Sequence, residues 1–289
     1  PGADRRPPVI LGEMPHLFTE ALQLVEAGRH VLVAAPQPFS AQQIATLLAA
    51  RQPRQAVFLW SERRYHPAYR LLTGLAASDE AAWRPRYVRQ TYLGRERPSG
   101  SLLRWRTMES LAVVLGLCAD EPQRLRAAAS ENPSRGAIDY VSISIEFTDS
   151  KGFLEVGLGE AIGRQEATIA AHDRRACIDE LNPSVPIRIA DDDDFTPRAA
   201  RSVLCPAPSA RELARLQCLA FLEATASLAR SQAEAALWLK ASACWQAIEA
   251  SLAARGLPVE VVEPTGALRV LKGRGLTAPA PMPQLRVVG

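Results

Sequence analysis

Residues 9–36, VILGEMPHLFTEALQLVEAGRHVLVAAP, contain two short apolar runs with one helical pattern between them. The runs Val9–Leu11 and Val31–Val33 have the continuous apolar character of strands that are covered on both faces. Between them, apolar residues recur at helical spacing, and Gly28 stands where a glycine commonly follows the last turn of a helix. The segment therefore predicts a strand, a helix and a strand, and the strands run parallel if the helix is their crossover connection.

The same pattern continues beyond residue 36. Ser40 followed by Gln43 has the form of a capping box at the start of a second helix, and residues 56–60 form a third apolar run. Only eight residues precede Val9, so a first strand-turn-helix unit is absent from this sequence. We expect the second half of a nucleotide-binding parallel sheet without its first half.

Composition narrows the class of protein. Hydrophobic residues make up 47% and charged residues 22% of the 289, which is typical of a globular chain with a buried core. The net charge of +3 comes from basic residues scattered among acidic ones, so no basic stripe predicts nucleic-acid binding. No apolar stretch approaches the ~20 residues of a membrane span. The five cysteines lie far apart without metal-ligand spacing, which predicts a reducing cytoplasm and no metal site.

The period of the sequence changes at Tyr140. Val141, Ile143 and Ile145 alternate with polar residues, which predicts a half-buried antiparallel strand. Further alternating segments lie between residues 153 and 181, and turn residues separate them. We expect these segments to continue the sheet as hairpins and to leave one of its faces open.

Two long stretches predict helices. Residues 101–117 favour an amphipathic helix, and the later stretch is too long for one globular helix. Ser231 with Glu234 has the form of a second capping box within this later stretch. It predicts two helices, Arg211–Leu228 and Gln232–Ala254.

A glycine-rich segment raises the question of a phosphate site. Gly157, Gly159 and Gly163 have a spacing close to that of a dinucleotide-binding turn. Such a turn must lead directly into a helix N-terminus, whose backbone N–H groups hold the phosphates. Here residues 166–171 resume strand alternation, so we interpret the glycines as a hairpin in the sheet.

Four segments contain motifs that can be compared with those of a protein family. They are the turn Glu13–His16 after a strand, the helix exit Ala27–Val31, the strand end Ala34–Pro36, and Glu62–Tyr69, which contains Arg-Arg-Tyr-x-Pro-Ala-Tyr. They resemble the Gfo/Idh/MocA family of oxidoreductases. The same places in that family read Thr-Pro-x-x-His, Ala-Gly-Lys-His-Val, Glu-Lys-Pro and Asn-Arg-Arg-Phe-x-Pro-Ala-Tyr. The resemblance extends over residues 9–262.

The resemblance implies an α/β fold, with a partial Rossmann-like parallel sheet followed by an α+β domain that contains a mostly antiparallel, open-faced sheet. Residues 1–62 would form the C-terminal part of a dinucleotide-binding domain. Residues 63–272 would form a substrate and oligomerisation domain, and the Pro-rich residues 273–289 a flexible tail. The family pairs subunits through the open sheet face, so we expect a homo-oligomer formed in this way.

The resemblance also implies a nicotinamide cofactor, NAD or NADP, at the carboxyl ends of the parallel strands. The residues that match cofactor-proximal positions are Met14, His16, Ala35 and Pro36. His16 has an alternative interpretation as a helix-capping or packing residue. Ala35 occupies the position of the family's catalytic Lys, and an alanine methyl neither carries charge nor donates a hydrogen bond.

The second catalytic motif of the family, Gly-Gly-x-x-x-Asp-x-x-x-His, falls on Ser99, Gly100 and the helix that follows. Arg104 stands at the Asp position and Met108 at the His position. Glu109, one residue further on, is the remaining candidate for a catalytic carboxylate. One step along a helix turns a side chain by ~100°, so Glu109 could serve only if the helix were rotated.

Four arginines, Arg63, Arg64, Arg104 and Arg106, lie near these motifs. One interpretation is a basic rim that binds an anionic substrate. The alternative is a set of solvated charges with local salt bridges.

Two functions are compatible with these motifs. The first is a Gfo/Idh/MocA-like NAD(P)-dependent oxidoreductase that acts on an alcohol or carbonyl carbon of a small, sugar-like or cyclic substrate. The second is a non-catalytic homologue, a pseudo-oxidoreductase that binds a ligand or pairs subunits after losing the Lys and His of the family. The sequence motifs alone leave both open.

Overall fold

The computed structural model describes residues 7–34, 39–78, 83–118, 120–132, 137–182, 187–191, 201–203 and 208–262. Within these ranges the strands form two sheets, one of three strands and one of nine. The chain therefore has an α/β fold with a small parallel sheet and a larger, mostly antiparallel sheet, as the sequence predicts. Ala35, Pro36 and the predicted tail at 273–289 lie outside the described residues.

The three-stranded sheet is parallel and has the order β1-β2-β3. Its strands are β1 (Val9–Leu11), β2 (Val31–Val33) and β3 (Val57–Leu59). Helix α1 (Leu17–Glu26) connects β1 to β2, and helix α2 (Ala41–Ala49) connects β2 to β3. The parallel strand-helix-strand unit predicted from residues 9–36 is confirmed.

Local capping explains where these two helices begin and end. Gly28 follows α1 with a φ of 77°, a left-handed conformation that glycine adopts without steric cost. The Ser40 side chain accepts from the Gln43 backbone, and the Gln43 side chain accepts from Ser40 in return. Both predicted signals are confirmed, and together they set the short connections of the sheet.

The nine-stranded sheet has the order β11-β10-β9-β8-β4-β7-β6-β5-β12, and only β4 and β7 pair in parallel. The strands are β4 (Tyr87–Gly94), β5 (Pro122–Asn132), β6 (Ala137–Phe147), β7 (Lys151–Leu158), β8 (Arg164–Ala170), β9 (Arg174–Asp179), β10 (Ile187–Asp191), β11 (Arg201–Val203) and β12 (Val259–Glu260).

The glycine-rich connection corrects one prediction. The chain passes from β7 through Gly159, with a φ of 78°, into β8 and not into a helix, so the segment does not form a phosphate-binding turn. The predicted hairpin is wrong, however, because β4 lies between β7 and β8 and pairs with both. Val88 of β4 is opposite Gly152 on one side and Ile169 on the other. The alternation of residues within β7 and β8 does not indicate that a strand from earlier in the chain lies between them.

Helix α4 (Gly100–Leu117) lies between this sheet and a long C-terminal helix. Its predicted range is confirmed, but the predicted amphipathic character is wrong, because almost every side chain from Leu103 onward is buried. Contact on two sides leaves it little solvent-facing surface. The rings of Trp105 and Trp238 stack at a centroid distance of 5.5 Å across the contact with the long helix.

Two C-terminal helices, α5 (Ala210–Ala226) and α6 (Leu228–Ala253), follow. The break between them lies at Ser227, which caps α6 by accepting from the Arg230 backbone, and not at Ser231 as predicted. Ser231 lies inside α6, and its hydroxyl donates to the Gln55 carbonyl at 2.6 Å. The capping-box interpretation predicted that this hydroxyl caps the start of a helix, but in the structure it bonds to Gln55, which is distant in the sequence.

Helix α5 covers one face of the parallel sheet, although it lies more than 150 residues later in the chain. Phe221 packs against Phe58 with a ring-centroid distance of 5.5 Å, and Leu32 belongs to the same buried cluster. Part of the region predicted as the second domain therefore contributes to the core of the first. The predicted bounds of 1–62 and 63–272 remain a prediction.

The two faces of the large sheet differ in how deeply their side chains are buried. Val141, Ile143 and Ile145 of β6 are buried in the core, whereas Ser142 and Ser144 alternate with them on the other face. Self-association through that outer face remains a prediction. None of the described helices combines the length and the apolar character that a bilayer span requires.

The N-cap of helix α3 (Pro67–Ala76) generates a pH-dependent prediction. The Nδ1 atom of His66 accepts from the Ala68 backbone at 3.2 Å, which requires an unprotonated Nδ1. Burial lowers the pKa of His66, and the nearby Glu180 carboxylate only partly opposes this shift. A histidine whose pKa is lowered on folding contributes stability above its unfolded pKa of about 6.5 and loses it as the pH falls.

We expect His66→Asn, which keeps an uncharged capping acceptor, to lose less stability on acidification than the wild type. The difference in the free energy of unfolding between the two proteins should shift by about 1 kcal/mol, the value of a helix cap, when the pH falls through the histidine range. Urea unfolding at the two ends of that range measures this shift. Identical pH dependence in both proteins would contradict it.

Candidate functional site

The candidate site lies where the carboxyl end of β3 meets helix α4. A single 3₁₀ turn, Arg63–Tyr65, follows β3 and brings the chain to this junction. In open α/β sheets, ligands bind outside the carboxyl ends of the strands. The polar side chains at the junction are therefore the first to consider.

The Glu109 carboxylate is at the centre of this junction and is only 1% exposed. Its Oε1 accepts from the Ser61 hydroxyl at 3.2 Å and from the Arg63 backbone at 3.4 Å. Its Oε2 accepts from Arg106 Nη1 at 3.1 Å. A buried charge is tolerated only when it is paired and hydrogen-bonded, and here both oxygens are engaged. Glu109 thus joins the exit of β3 to α4.

Arg106 links this carboxylate to a second one. Its Nη2 donates to Glu96 Oε1 at 3.1 Å, and its guanidinium carbon lies 5.1 Å from the centre of the Tyr92 ring. Burial favours a lower pKa, but Glu109, Tyr92 and Glu96 outweigh it and raise the pKa of Arg106. The side chain is 21% exposed, so a permanently charged guanidinium reaches the surface of the junction.

Arg63 is held inside the protein. Its guanidinium carbon lies 3.9 Å from the centre of the Tyr92 ring, its Nη1 donates to Ser110 at 3.2 Å, and its Nε lies 3.5 Å from Glu180 Oε1. Burial opposes the charged form, yet the Glu180 and Glu109 carboxylates raise the pKa of Arg63 overall. Its charge is thus balanced internally.

Arg64 has its partners in α6. Its Nη2 donates to Glu234 Oε2 at 2.8 Å, and Trp238 Nε1 donates to Glu234 Oε1 at 2.9 Å. Arg104 is partly buried on the first half of α4. Arg63 and Arg64 therefore do not form a solvated rim, and substrate binding by any of the four arginines remains a prediction.

Gln217 of α5 is a residue that sequence reasoning missed. It is fully buried; its Nε2 donates to the Leu59 carbonyl at 3.1 Å and its Oε1 accepts from the Ser61 backbone at 3.2 Å. The amide thus continues the hydrogen bonding of β3 beyond the end of the strand. The sequence signal for this role is a polar residue among the apolar positions of α5. Because such residues are common on helix surfaces, this signal alone does not single out Gln217.

The predicted cofactor residues have been located in part. Met14 and His16 follow β1 at its carboxyl end and are exposed, and His16 adopts a left-handed φ of 59° at the N-cap of α1. Met108 is buried. The described residues contain no glycine-rich turn before a helix of the kind that holds the phosphates of a dinucleotide. Among them, no group of His, Cys, Asp and Glu side chains forms a metal site.

Comparison with solved structures identifies the fold. The chain is similar to levoglucosan dehydrogenase in complex with NADH and levoglucosan, with a TM-score of 0.70, 17% identity, and coverage of 89% of this chain and 81% of that one. It is also similar to an NAD-binding oxidoreductase from Klebsiella pneumoniae, with a TM-score of 0.68, 16% identity, and coverage of 88% and 80%.

A third similar structure is UDP-N-acetylglucosamine 3-dehydrogenase from Acidithiobacillus ferrooxidans, with a TM-score of 0.62, 22% identity, and coverage of 81% of this chain and 75% of that one. No family model matches the sequence, and neither does any curated protein. The fold is that of NAD-binding oxidoreductases of the Gfo/Idh/MocA type. The predicted resemblance is confirmed at this level.

Gln217 provides the test of the junction. Gln217→Leu retains the volume but leaves the Leu59 carbonyl and the Ser61 N–H buried without partners, and each such group costs about 1–3 kcal/mol. We expect the free energy of unfolding to fall by at least about 2 kcal/mol. The control, Gln246→Leu on the more exposed side of α6, should change it by less than about 0.5 kcal/mol. Equal effects of the two substitutions in urea unfolding would contradict the assignment.

Proposed function

We propose that this chain forms part of an NAD(P)-dependent oxidoreductase that acts on a hydroxyl or carbonyl carbon of a sugar-like or cyclic substrate. The observation that carries the proposal is the junction itself. The exit of β3, at the carboxyl edge of the parallel sheet, is hydrogen-bonded to a buried network on α4. Levoglucosan dehydrogenase, a protein with a similar fold, has been solved with NADH and with NADH and levoglucosan.

The proposal gives each part of the junction a role. Met14 and His16 would contact the nicotinamide half of the cofactor, together with Ala35 and Pro36. The bound cofactor would accept or supply the hydride. Arg106, whose side chain is 21% exposed, would present a positive charge to a substrate oxygen. Glu109 and Glu96 would hold Arg106 in place.

Cytoplasmic localisation and self-association through the outer face of the large sheet belong to the same proposal. The widely spaced cysteines support the first. The second has support from the partly polar outer face of β6, where serines alternate with the buried apolar positions. Both NAD and NADP are compatible with the described residues.

A second candidate function has its own observation. Both oxygens of Glu109 are bonded inside the protein, and Met108 and Arg104 occupy the positions of the family's His and Asp. Loss of a positioned proton-transfer group costs a rate factor of about 10² to 10⁴. A pseudo-oxidoreductase that binds the cofactor without turnover would have this arrangement.

Cofactor binding tests the proposal first. We expect titration of the protein with NADH, and separately with NADPH, to show saturable binding of one of the two cofactors. The fluorescence of the cofactor measures the bound fraction. Met14→Glu places a carboxylate at the strand edge beside an anionic cofactor and should raise the dissociation constant at least about tenfold, or 1.4 kcal/mol. Ile162→Glu, in the exposed connection between β7 and β8, should leave it unchanged. Absence of binding by the wild type would contradict the oxidoreductase, and would restrict the non-catalytic homologue to subunit pairing or to another ligand.

Turnover separates the two candidates. The oxidoreductase should reduce NAD⁺ or NADP⁺ with at least one cyclic or sugar alcohol, and Arg106→Gln should lower kcat/KM for that substrate about 10²-fold. Cofactor binding without turnover on any of these alcohols would favour the pseudo-oxidoreductase. In that case the double variant Ala35→Lys, Met108→His should gain measurable activity, because it restores both proton-handling positions.

A further inference from the structure

Glu96 differs from the other carboxylates of the junction in its exposure. Its side chain is 34% exposed, whereas that of Glu109 is 1% exposed and that of Glu180 is 12% exposed. Its Oε1 accepts from the Tyr92 hydroxyl and, at 3.1 Å, from Arg106 Nη2. In the part of the chain that the structure describes, no side chain donates to its Oε2. One oxygen of Glu96 is therefore held in place, and the other is available to a ligand.

The absence of a side chain at Gly94 makes room for this carboxylate. Gly94 is the last residue of β4, and a Cβ atom added there would overlap Glu96 Oε2 and lie 2.9 Å from a Tyr92 ring carbon. Because side chains alternate along a strand, position 94 faces the same side of the sheet as the buried Gln90 and Tyr92. The Glu96 carboxylate thus lies on the junction side of the large sheet, next to Arg106.

Glu96 and Arg106 together match the hydrogen-bonding character of a hydroxyl group. Partial burial favours a higher pKa for Glu96, but its hydrogen bonds with Tyr92 and Arg106 lower the pKa overall, so the carboxylate is ionised at neutral pH. An ionised carboxylate only accepts hydrogen bonds, and a guanidinium only donates them. A hydroxyl does both, so it can donate to Glu96 Oε2 while its oxygen accepts from Arg106. Both bonds are charge-assisted and therefore stronger than neutral ones.

The charges of this pair disfavour an anionic ligand. Arg106 is shared by Glu96 and Glu109, so one guanidinium and two carboxylates leave a net charge of −1. An anion at Arg106 would lie beside Glu96 Oε2, and the juxtaposition of like charges is costly in a binding site. An uncharged hydroxyl group avoids this repulsion.

Other arginines near the pair do not reverse this balance. Arg63 and Arg64 are paired with carboxylates inside the protein. Arg104 lies two residues before Arg106, so it points about 200° away around α4. Arg95 and Arg97 are exposed, and water and salt screen their charges.

We propose that Glu96 and Arg106 together bind a hydroxyl group of the substrate and select an uncharged polyhydroxy compound over its carboxylated or phosphorylated counterpart. The inference rests on the proposed function, which places the substrate at this junction. It concerns recognition alone, so it requires no hydride or proton transfer at Glu96. Selection of this kind combines an attractive contact with a repulsive one.

Binding of matched sugars to the full chain tests the proposal. The probes are D-glucose with D-glucuronate, D-galactose with D-galacturonate, and myo-inositol with its monophosphate, titrated with and without NADH and followed by ligand-observed NMR. In at least one set, the uncharged member should bind the wild type at least about tenfold more tightly. Glu96→Gln removes the charge and keeps the shape, so it should lower this preference at least about fivefold.

Two further variants separate the position of the carboxylate from its charge. Gly94→Ala displaces the Glu96 carboxylate without removing it, and should weaken binding of the uncharged member at least about fivefold. The matched control is Glu166→Gln, because Glu166 also pairs with an arginine, Arg164, at 2.8 Å and is 37% exposed, but alternates with the buried Ala167 on the outer face of the sheet. It should leave the preference unchanged, and urea unfolding reports whether each variant is folded.

Three results would overturn the proposal. They are equal or tighter binding of the anionic member in every set, no binding of any probe by the wild type, and equal effects of Glu96→Gln and Glu166→Gln. Turnover is measured separately. Selective binding of uncharged members without turnover would contradict the oxidoreductase and support this inference, whereas turnover of the anionic members alone would contradict this inference and support the oxidoreductase.

Discussion

The buried carboxylate of Glu109 is the constraint on which the rest of the structure depends. A charge that is 1% exposed must be compensated where it lies, and its donors come from α4, from the exit of β3 and from the 3₁₀ turn that follows. These donors fix the carboxyl end of the parallel sheet against the central helix of the larger unit. Gln217 adds a bond from α5 to the same exit, so three distant segments meet at Ser61.

The compensation of charge also decides what the junction can do chemically. Arg63 is balanced by Glu180 and Glu109, and Arg64 by Glu234, so neither carries an uncompensated charge. Arg106 is held by two carboxylates and still reaches the surface. The family resemblance predicts that Ala35 and Met108 stand where the family has its proton-moving groups.

The sequence predicted features that depend on local periodicity and capping. The strand-helix-strand unit of residues 9–33 and the capping box at Ser40 are confirmed because neighbouring residues determine them. The capping box at Ser231 is wrong because a carbonyl 176 residues away, at Gln55, takes its hydroxyl. The sequence could not predict the position of β4 between β7 and β8 either, because strand order depends on pairing between distant segments.

In the candidate site, too, local motifs were predictable from the sequence, whereas contacts between distant residues were not. The motif match singled out Arg63, Arg106 and Glu109 as candidate site residues, and the structure brings these three together at the junction, while their roles remain predictions. It could not indicate that the carboxylate is closed by internal donors, because Ser61 and Glu109 are 48 residues apart. Gln217 and Tyr92 belong to no motif, and only the packed structure brings them to the junction.

The most direct measurement is a double-mutant cycle between Glu109 and Arg106, with Glu109→Gln, Arg106→Met and the double variant compared by urea unfolding. An anchoring carboxylate predicts a coupling free energy of at least about 1.5 kcal/mol. The same cycle on the exposed Glu146 and Arg124, whose charged atoms are 4.0 Å apart, should give about 0.5 kcal/mol or less. A coupling near zero at Glu109, with turnover abolished by Glu109→Gln at unchanged stability, would contradict the account and make Glu109 a reacting group.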